Sequence, residues 1–154
     1  AQFTFATIAW DQEGTRNLIK DGRFMPGLSD GGAHVATLND TGYATYLLGH
    51  WVREEQVLSL EEAVRLMTSL PADHFGIARR GRIQEGHHAD FVLFDPDTVI
   101  NHVPEYVVDM PADGRRLVTR ATGIHMTIVN GEVLFIDGEH QGGLPGRMLR
   151  SSDT

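Results

Sequence analysis

The sequence predicts an α/β chain in two parts, mixed strands and helices over residues 1–78 and a β region over residues 79–154. Three observations carry this. Apolar residues recur at helical spacing over residues 43–58 and again over residues 60–70, the second run opened by a Ser59/Glu62 capping box. Asn130-Gly131 stands between two β-rich runs and is the favoured pair for a two-residue hairpin turn, whose central residues both need positive φ. From about Arg79 onward, glycine and proline punctuate short apolar runs, the pattern of strands and turns.

In chain order, residues 2–9 are rich in aromatic and β-branched side chains and read as a strand, after which Asp11 caps a helix through Ile19. Residues 23–29, "RFMPGLS", read as a short buried strand in which Pro26 favours an edge or a strand end. Tyr43, Tyr46, Leu47, His50 and Trp51 form the stripe of the next helix. At Ser59 the hydroxyl satisfies an orphan amide while Glu62 reaches back to the cap, and Ala63, Leu66, Met67 and Leu70 make an apolar face before Pro71. A further turn of helix through Phe75 ends at Gly76. Phe91 to Phe94 is a brief apolar strand of the kind buried on both faces. Residues 150–154 read as a terminal tail.

Composition narrows the function classes. The chain of 154 residues has 13 basic and 21 acidic side chains and no basic block, which argues against nucleic acid as a partner. It lacks cysteine, so thiolate nucleophiles, thiolate metal ligands and disulfides are excluded, and its eight histidines are the chief metal-binding resource. No apolar run approaches the ~20 residues of a membrane-spanning helix, and the first residues lack the charged-then-apolar layout expected of a signal peptide. No membrane partner is expected, and the cytoplasm is the default location. The start at Ala1 without methionine suggests processing, trimming or truncation.

The residues with the clearest chemical promise lie in "GLSDGGAHV", residues 27–35. A carboxylate at the end of a strand, followed by glycines that let the backbone turn sharply, is placed to face a cavity above a parallel sheet. Asp30 fits that description, although Asp-Gly-Gly is equally ordinary turn chemistry. His34 shares the loop and can be a ligand, a structural group or a surface histidine. The adjacent His87 and His88 point to opposite faces of an extended segment and read as a solvated turn. His50, on the apolar stripe of its helix, reads as a hydrogen-bonded core residue. Arg79, Arg80 and Arg82 can hold a carboxylate or cap the preceding helix; the glycine-rich loop of a phosphate site is missing.

Three segments together carry a family resemblance: "GLSDGGAHV", "EEAVRLMTSLPADHFGIARRGRIQEGHHADFVLFDP" and "RATGIHMTIVNGEVLFIDGEHQGGLPGRMLR". They resemble the C-terminal part of the amidohydrolase superfamily, in its N-acyl-D-amino-acid deacylase (D-aminoacylase-like) branch. The resemblance implies a fragment of a (β/α)8 barrel over residues 1–78 and the C-terminal strands of a small β-sandwich over residues 79–154. It further implies zinc-dependent hydrolysis of the amide of a small N-acyl amino acid. Asp30 would be the general base, able to touch a second, weaker metal position. Ser29, Gly31, Gly32 and His34 would be its neighbours on the substrate side of the loop.

A barrel of this kind takes about 250 residues, so residues 1–78 hold only its last strand-helix units. The family's other metal ligands should lie upstream of Asp30. Here no histidine precedes His34 and no His-x-His occurs. Zinc would then be bound mainly by residues missing from this chain. The chain alone is expected to be inactive, and to associate with itself or with a polypeptide that completes the barrel. The alternatives are a non-catalytic α+β assembly module or remnant and, within the enzymes, a dihydroorotase-like or deaminase amidohydrolase.

Overall fold

The computed structural model describes residues 11–27, 29 and 31–150. The strand expected over residues 2–9, the tail beyond Arg150 and Asp30 itself lie outside the described residues. Helix α1, Gln12–Asp21, starts at Asp11, whose Oδ1 accepts the Gly14 amide at 2.9 Å, and stops at Gly22 in the left-handed region. Residues 23–27 and 29 then run without regular structure, a correction to the expected strand. A buried parallel strand needs ladder partners on both sides. Every strand pair among the described residues is antiparallel and lies beyond residue 90.

Helix α2 begins as an α-helix over Tyr43–Tyr46 and continues as a π-helix over Leu47–Glu54. It ends short of Leu58: the Glu55 amide donates to the His50 carbonyl five residues back at 2.8 Å, and Gln56 turns to a φ of 51°. Gly49 faces Val99 and Ile100, where a Cβ would stand 2.6 Å from the Val99 carbonyl oxygen. Only glycine lets this helix lie so close. His50 is one-fifth exposed; its Nδ1 meets Glu54 Oε2 at 3.1 Å, while Nε2 is buried without a partner.

Helix α3 spans Leu60–Met67 and helix α4 spans Ser69–His74. Ser59 Oγ accepts the Glu62 amide at 3.1 Å, which is half of the expected capping box. The other half is corrected. Both Glu62 carboxylate oxygens take hydrogen bonds from the Arg65 guanidinium at 2.8 Å, a charge-assisted fork stronger than a bond to the cap amide. The apolar run is also broken at Thr68 (φ −126°, ψ −80°), so Leu70 belongs to α4 and Pro71 falls in its first turn, where a missing amide costs nothing. Gly76 closes α4 in the left-handed region, with the Ile77 amide bonded to the Ala72 carbonyl.

The β region comprises β1 (Phe91–Phe94), β2 (Ile100–Asn101), β3 (Glu105–Met110), β4 (Gly114–Val118), β5 (Ala121–Thr122), β6 (Ile124–Val129), β7 (Glu132–Ile136) and β8 (Glu139–His140). They form a four-stranded sheet in the order β1-β6-β7-β8 and two ribbons, β2-β5 and β3-β4. The β6-β7 turn is Asn130-Gly131, both at positive φ, closing the Val129–Glu132 pair as the sequence predicts. Strand β1 departs from expectation. It lies at the sheet edge, and Val92 and Leu93 are about half exposed (53% and 47%) because no layer covers them among the described residues.

One core joins the two regions. Leu47, Leu48 and Trp51 of α2, Ala63 of α3 and Val99 ahead of β2 are buried together, with Ile19, Leu58, Phe94 and Ile124 packed around them. Arg53 Nη1 ties α2 to the same segment through the Val99 carbonyl at 2.6 Å.

Candidate functional site

The loop that follows Asp30 is organised by its own short-range bonds. Ser29 Oγ accepts the Gly31 amide at 3.2 Å. A Cβ on Gly31 would come within 2.9 Å of both Ser29 Oγ and Thr41 Cγ2, and Gly32 sits at a φ of 92°, so both glycines are required by geometry. His34 also has positive φ (50°), and its carbonyl accepts the amides of Thr37 at 2.7 Å and Leu38 at 2.9 Å. Thr37 Oγ1 adds a third bond to the same oxygen at 3.0 Å.

The far end of the loop is fastened to the β3-β4 ribbon. The Leu117 amide donates to the Val35 carbonyl at 2.8 Å, and the Tyr106 hydroxyl donates to the Ala36 carbonyl at 3.0 Å. Between loop and ribbon lies a cavity of about 180 Å³, lined by Gly31, Gly32, Leu38, Thr41 and Arg116 among others. Thr119 closes it, with a buried hydroxyl that has no partner.

Of the residues singled out in the sequence, Ser29, Gly31, Gly32 and His34 share this one loop, and the two glycines face the cavity. The His34 imidazole is exposed and is not among the cavity-lining groups. Tyr106 and Leu117 were not singled out by sequence. The available signal was "PADG", residues 111–114, a turn sequence between two short runs.

A second polar cluster lies at the β6-β7 turn. Arg80 forms an ion pair with Asp90 and donates to Asn130 Oδ1 at 2.8 Å, while Asp90 Oδ1 accepts the Asn130 amide at 2.8 Å. Asn130 Nδ2 in turn holds the Pro145 carbonyl at 2.6 Å. Burial pushes the Asp90 carboxyl up, but the Asn130 amide and the Arg80 guanidinium outweigh it and keep it below the usual range. Arg82 grips Asp73 through two bonds, at 2.8 and 2.6 Å. The arginine run therefore holds carboxylates, one of its two expected uses. His87 and His88 stand in a turn but are half-buried rather than solvated, and His87 Nδ1 has no partner. Desolvation, then the charges of Arg80 and Arg79, lowers the His88 pKa.

Among the described residues no three histidine, aspartate or glutamate side chains converge as metal ligands. A catalytic zinc takes three protein ligands, so the described residues do not fit one. Also among them, no helix is long and apolar enough to cross a membrane.

The described residues form a mixed helix–strand fragment with a glycine loop facing a cavity, and the relatives of the chain specify it further. Residues 8–135 match the amidohydrolase family, and the chain belongs to that family. It is 35% identical to a D-aminoacylase of Alcaligenes xylosoxydans xylosoxydans over 141 residues, 90% of this chain and 27% of the relative. It is 41% identical to an N-acyl-D-glutamate deacylase of the same organism over 111 residues, 71% of this chain and 20% of the relative. In structure it resembles N-acyl-D-glutamate deacylase from Bordetella bronchiseptica, solved with zinc and a phosphonate mimic of the tetrahedral intermediate. That likeness has a TM-score of 0.66 at 35% identity and covers 84% of this chain and 27% of the other. The chain thus spans about a quarter of the length of the relatives it matches.

Proposed function

We propose that this chain is the C-terminal portion of a zinc-dependent amidohydrolase that cleaves the amide bond of N-acyl-D-amino acids. The observation that carries the reading is the 35% identity to a D-aminoacylase over 90% of the chain, with Asp30 inside the family match at residues 8–135. Residues 1–78 are the last strand-helix units of a (β/α)8 barrel, and residues 79–154 are the C-terminal strands of a small β-sandwich.

Asp30 is the general base. Its carboxylate takes a proton from water as the water oxygen bonds to the acyl carbon, and returns it to the amine nitrogen as the C–N bond breaks. The products are a carboxylic acid and a free D-amino acid. Ser29, Gly31, Gly32 and His34 border the substrate. Zinc would be held mainly by residues outside this chain, and Asp30 would be able to touch a second, weaker position. Alone, the chain is inactive.

The test is turnover of N-acyl-D-amino acids, their L-enantiomers and dihydroorotate by the complete polypeptide that carries this segment and by residues 1–154 alone. The reading expects hydrolysis of the D-substrates by the complete polypeptide only. Preference for dihydroorotate would favour a dihydroorotase-like enzyme, and turnover by the isolated chain would overturn its incompleteness.

A further inference from the structure

The loop after Asp30 is fastened to a distant element at its far end and bonded within itself at its near end, where Ser29 Oγ accepts the Gly31 amide. Val35 and Ala36 each give a carbonyl to the β3-β4 ribbon, at 2.8 Å to the Leu117 amide and 3.0 Å to the Tyr106 hydroxyl. Gly31 and Gly32, which follow Asp30 in sequence, line the cavity shared with the ribbon residues Arg116 and Leu117. The ribbon is itself braced. The Arg115 guanidinium lies 5.0 Å above the Tyr106 ring, and Arg116 pairs with Asp109 across the two strands at 2.8 and 2.7 Å. Its two strands pair with each other and lie in a separate ribbon from the four-stranded sheet, so the contacts with the loop are a distinct use of this segment.

We infer that the β3-β4 ribbon is a positioning element for the catalytic loop, with the Tyr106 hydroxyl as its positioning residue. The inference rests on the reading of Asp30 as general base. Residues 32 and 34 both have positive φ, the second without glycine's freedom, and such a backbone persists only where its surroundings over-determine it. The two carbonyl bonds supply that constraint within two residues of His34. The constraint on the described part of the loop therefore enters at Val35 and Ala36, four to five residues beyond Gly31.

Tyr106→Phe removes one hydroxyl and keeps the ring under Arg115. In the complete polypeptide, kcat should fall about fivefold, the equivalent of one neutral hydrogen bond, with KM within twofold and an altered acid limb of the kcat–pH profile. Ile83→Ser, outside both loop and ribbon and 87% exposed, should change none of these. Amide hydrogen exchange supplies a readout independent of activity. In Tyr106→Phe the Thr37 and Leu38 amides should exchange several-fold faster, while the α3 amides stay unchanged. Unaltered exchange in that loop would overturn the inference whether or not the enzyme turns over. Faster exchange with unchanged kcat and pH profile, where Asp30→Asn abolishes turnover, would overturn the catalytic role of the clamp while leaving the base assignment standing. A wild-type polypeptide without amidase activity would instead defeat the functional reading, and with it the catalytic half of the inference.

Discussion

The helical half and the sheet half of this chain meet the burial problem differently. In α2 and α3, Leu47, Leu48, Trp51, Ala63 and Leu66 are all buried, and Val99 from the β region joins the first four in one cluster. In the β1-β6-β7-β8 sheet, Val92, Leu93, Val133 and Ile136 are all exposed, and Leu144 and Met148 beyond it are more than four-fifths exposed. A soluble monomer rarely leaves so much apolar side chain uncovered. The helical cluster is closed by residues of this chain, whereas the sheet leaves apolar side chains that, on the proposed reading, other polypeptide would cover. It agrees with a chain that spans about a quarter of its relatives' length.

If the helical cluster carries the stability, its centre should be the most sensitive point. Trp51→Ala should lower unfolding stability by about 3–5 kcal/mol in urea titrations. A loss below about 1 kcal/mol would break the comparison. Gly49→Ala forces a Cβ against Ile100 and the Val99 carbonyl, and should cost about 1–3 kcal/mol by the same measurement.

The pH response is smaller and has two stages. The lowered His88 pKa means that the folded chain favours neutral imidazole, so its contribution is complete above the ordinary imidazole pKa of the unfolded chain and is lost as pH falls through the folded pKa. Asp73, held down by the Arg82 hydrogen bonds, and Asp109, held down by those of Arg116, contribute fully above the ordinary carboxylate pKa of the unfolded chain. Their contribution is lost as pH falls through their folded values. Circular dichroism melts across this range should show declining Tm in both windows, and His88→Gln should remove the upper one. A rise in Tm on acidification from pH 6.5 would contradict the sign. At the sheet edge, Val92→Ser should shift stability by no more than about 0.5 kcal/mol yet reduce self-association in sedimentation velocity.

The legible features were those written in a few adjacent residues. Asp11 and Ser59 announce helix starts by side chains that bond amides three positions on, and Asn130-Gly131 announces its turn by the φ it requires. The features that were not legible depend on distant partners. Residues 23–29 have strand composition but no ladder partner among the described residues. The π-helical stretch accompanies the approach of Gly49 to Val99, fifty residues away in sequence. The β3-β4 ribbon is closed by a turn in which Ala112 and Asp113, rather than glycine or asparagine, take positive φ. Within the candidate site, the glycines could be read from the sequence because the loop itself requires them. The Tyr106 and Leu117 contacts span seventy or more residues and became visible only in the fold.

The central claim is that a single carboxylate supplied by this chain moves the proton in an amide hydrolysis whose other groups are encoded elsewhere. The most direct test is kcat for an N-acyl-D-amino acid in the complete polypeptide with Asp30→Asn, a change of one atom that removes the base. The account predicts a fall of about 10²–10⁴-fold with KM little altered. Wild-type turnover by that variant would contradict it.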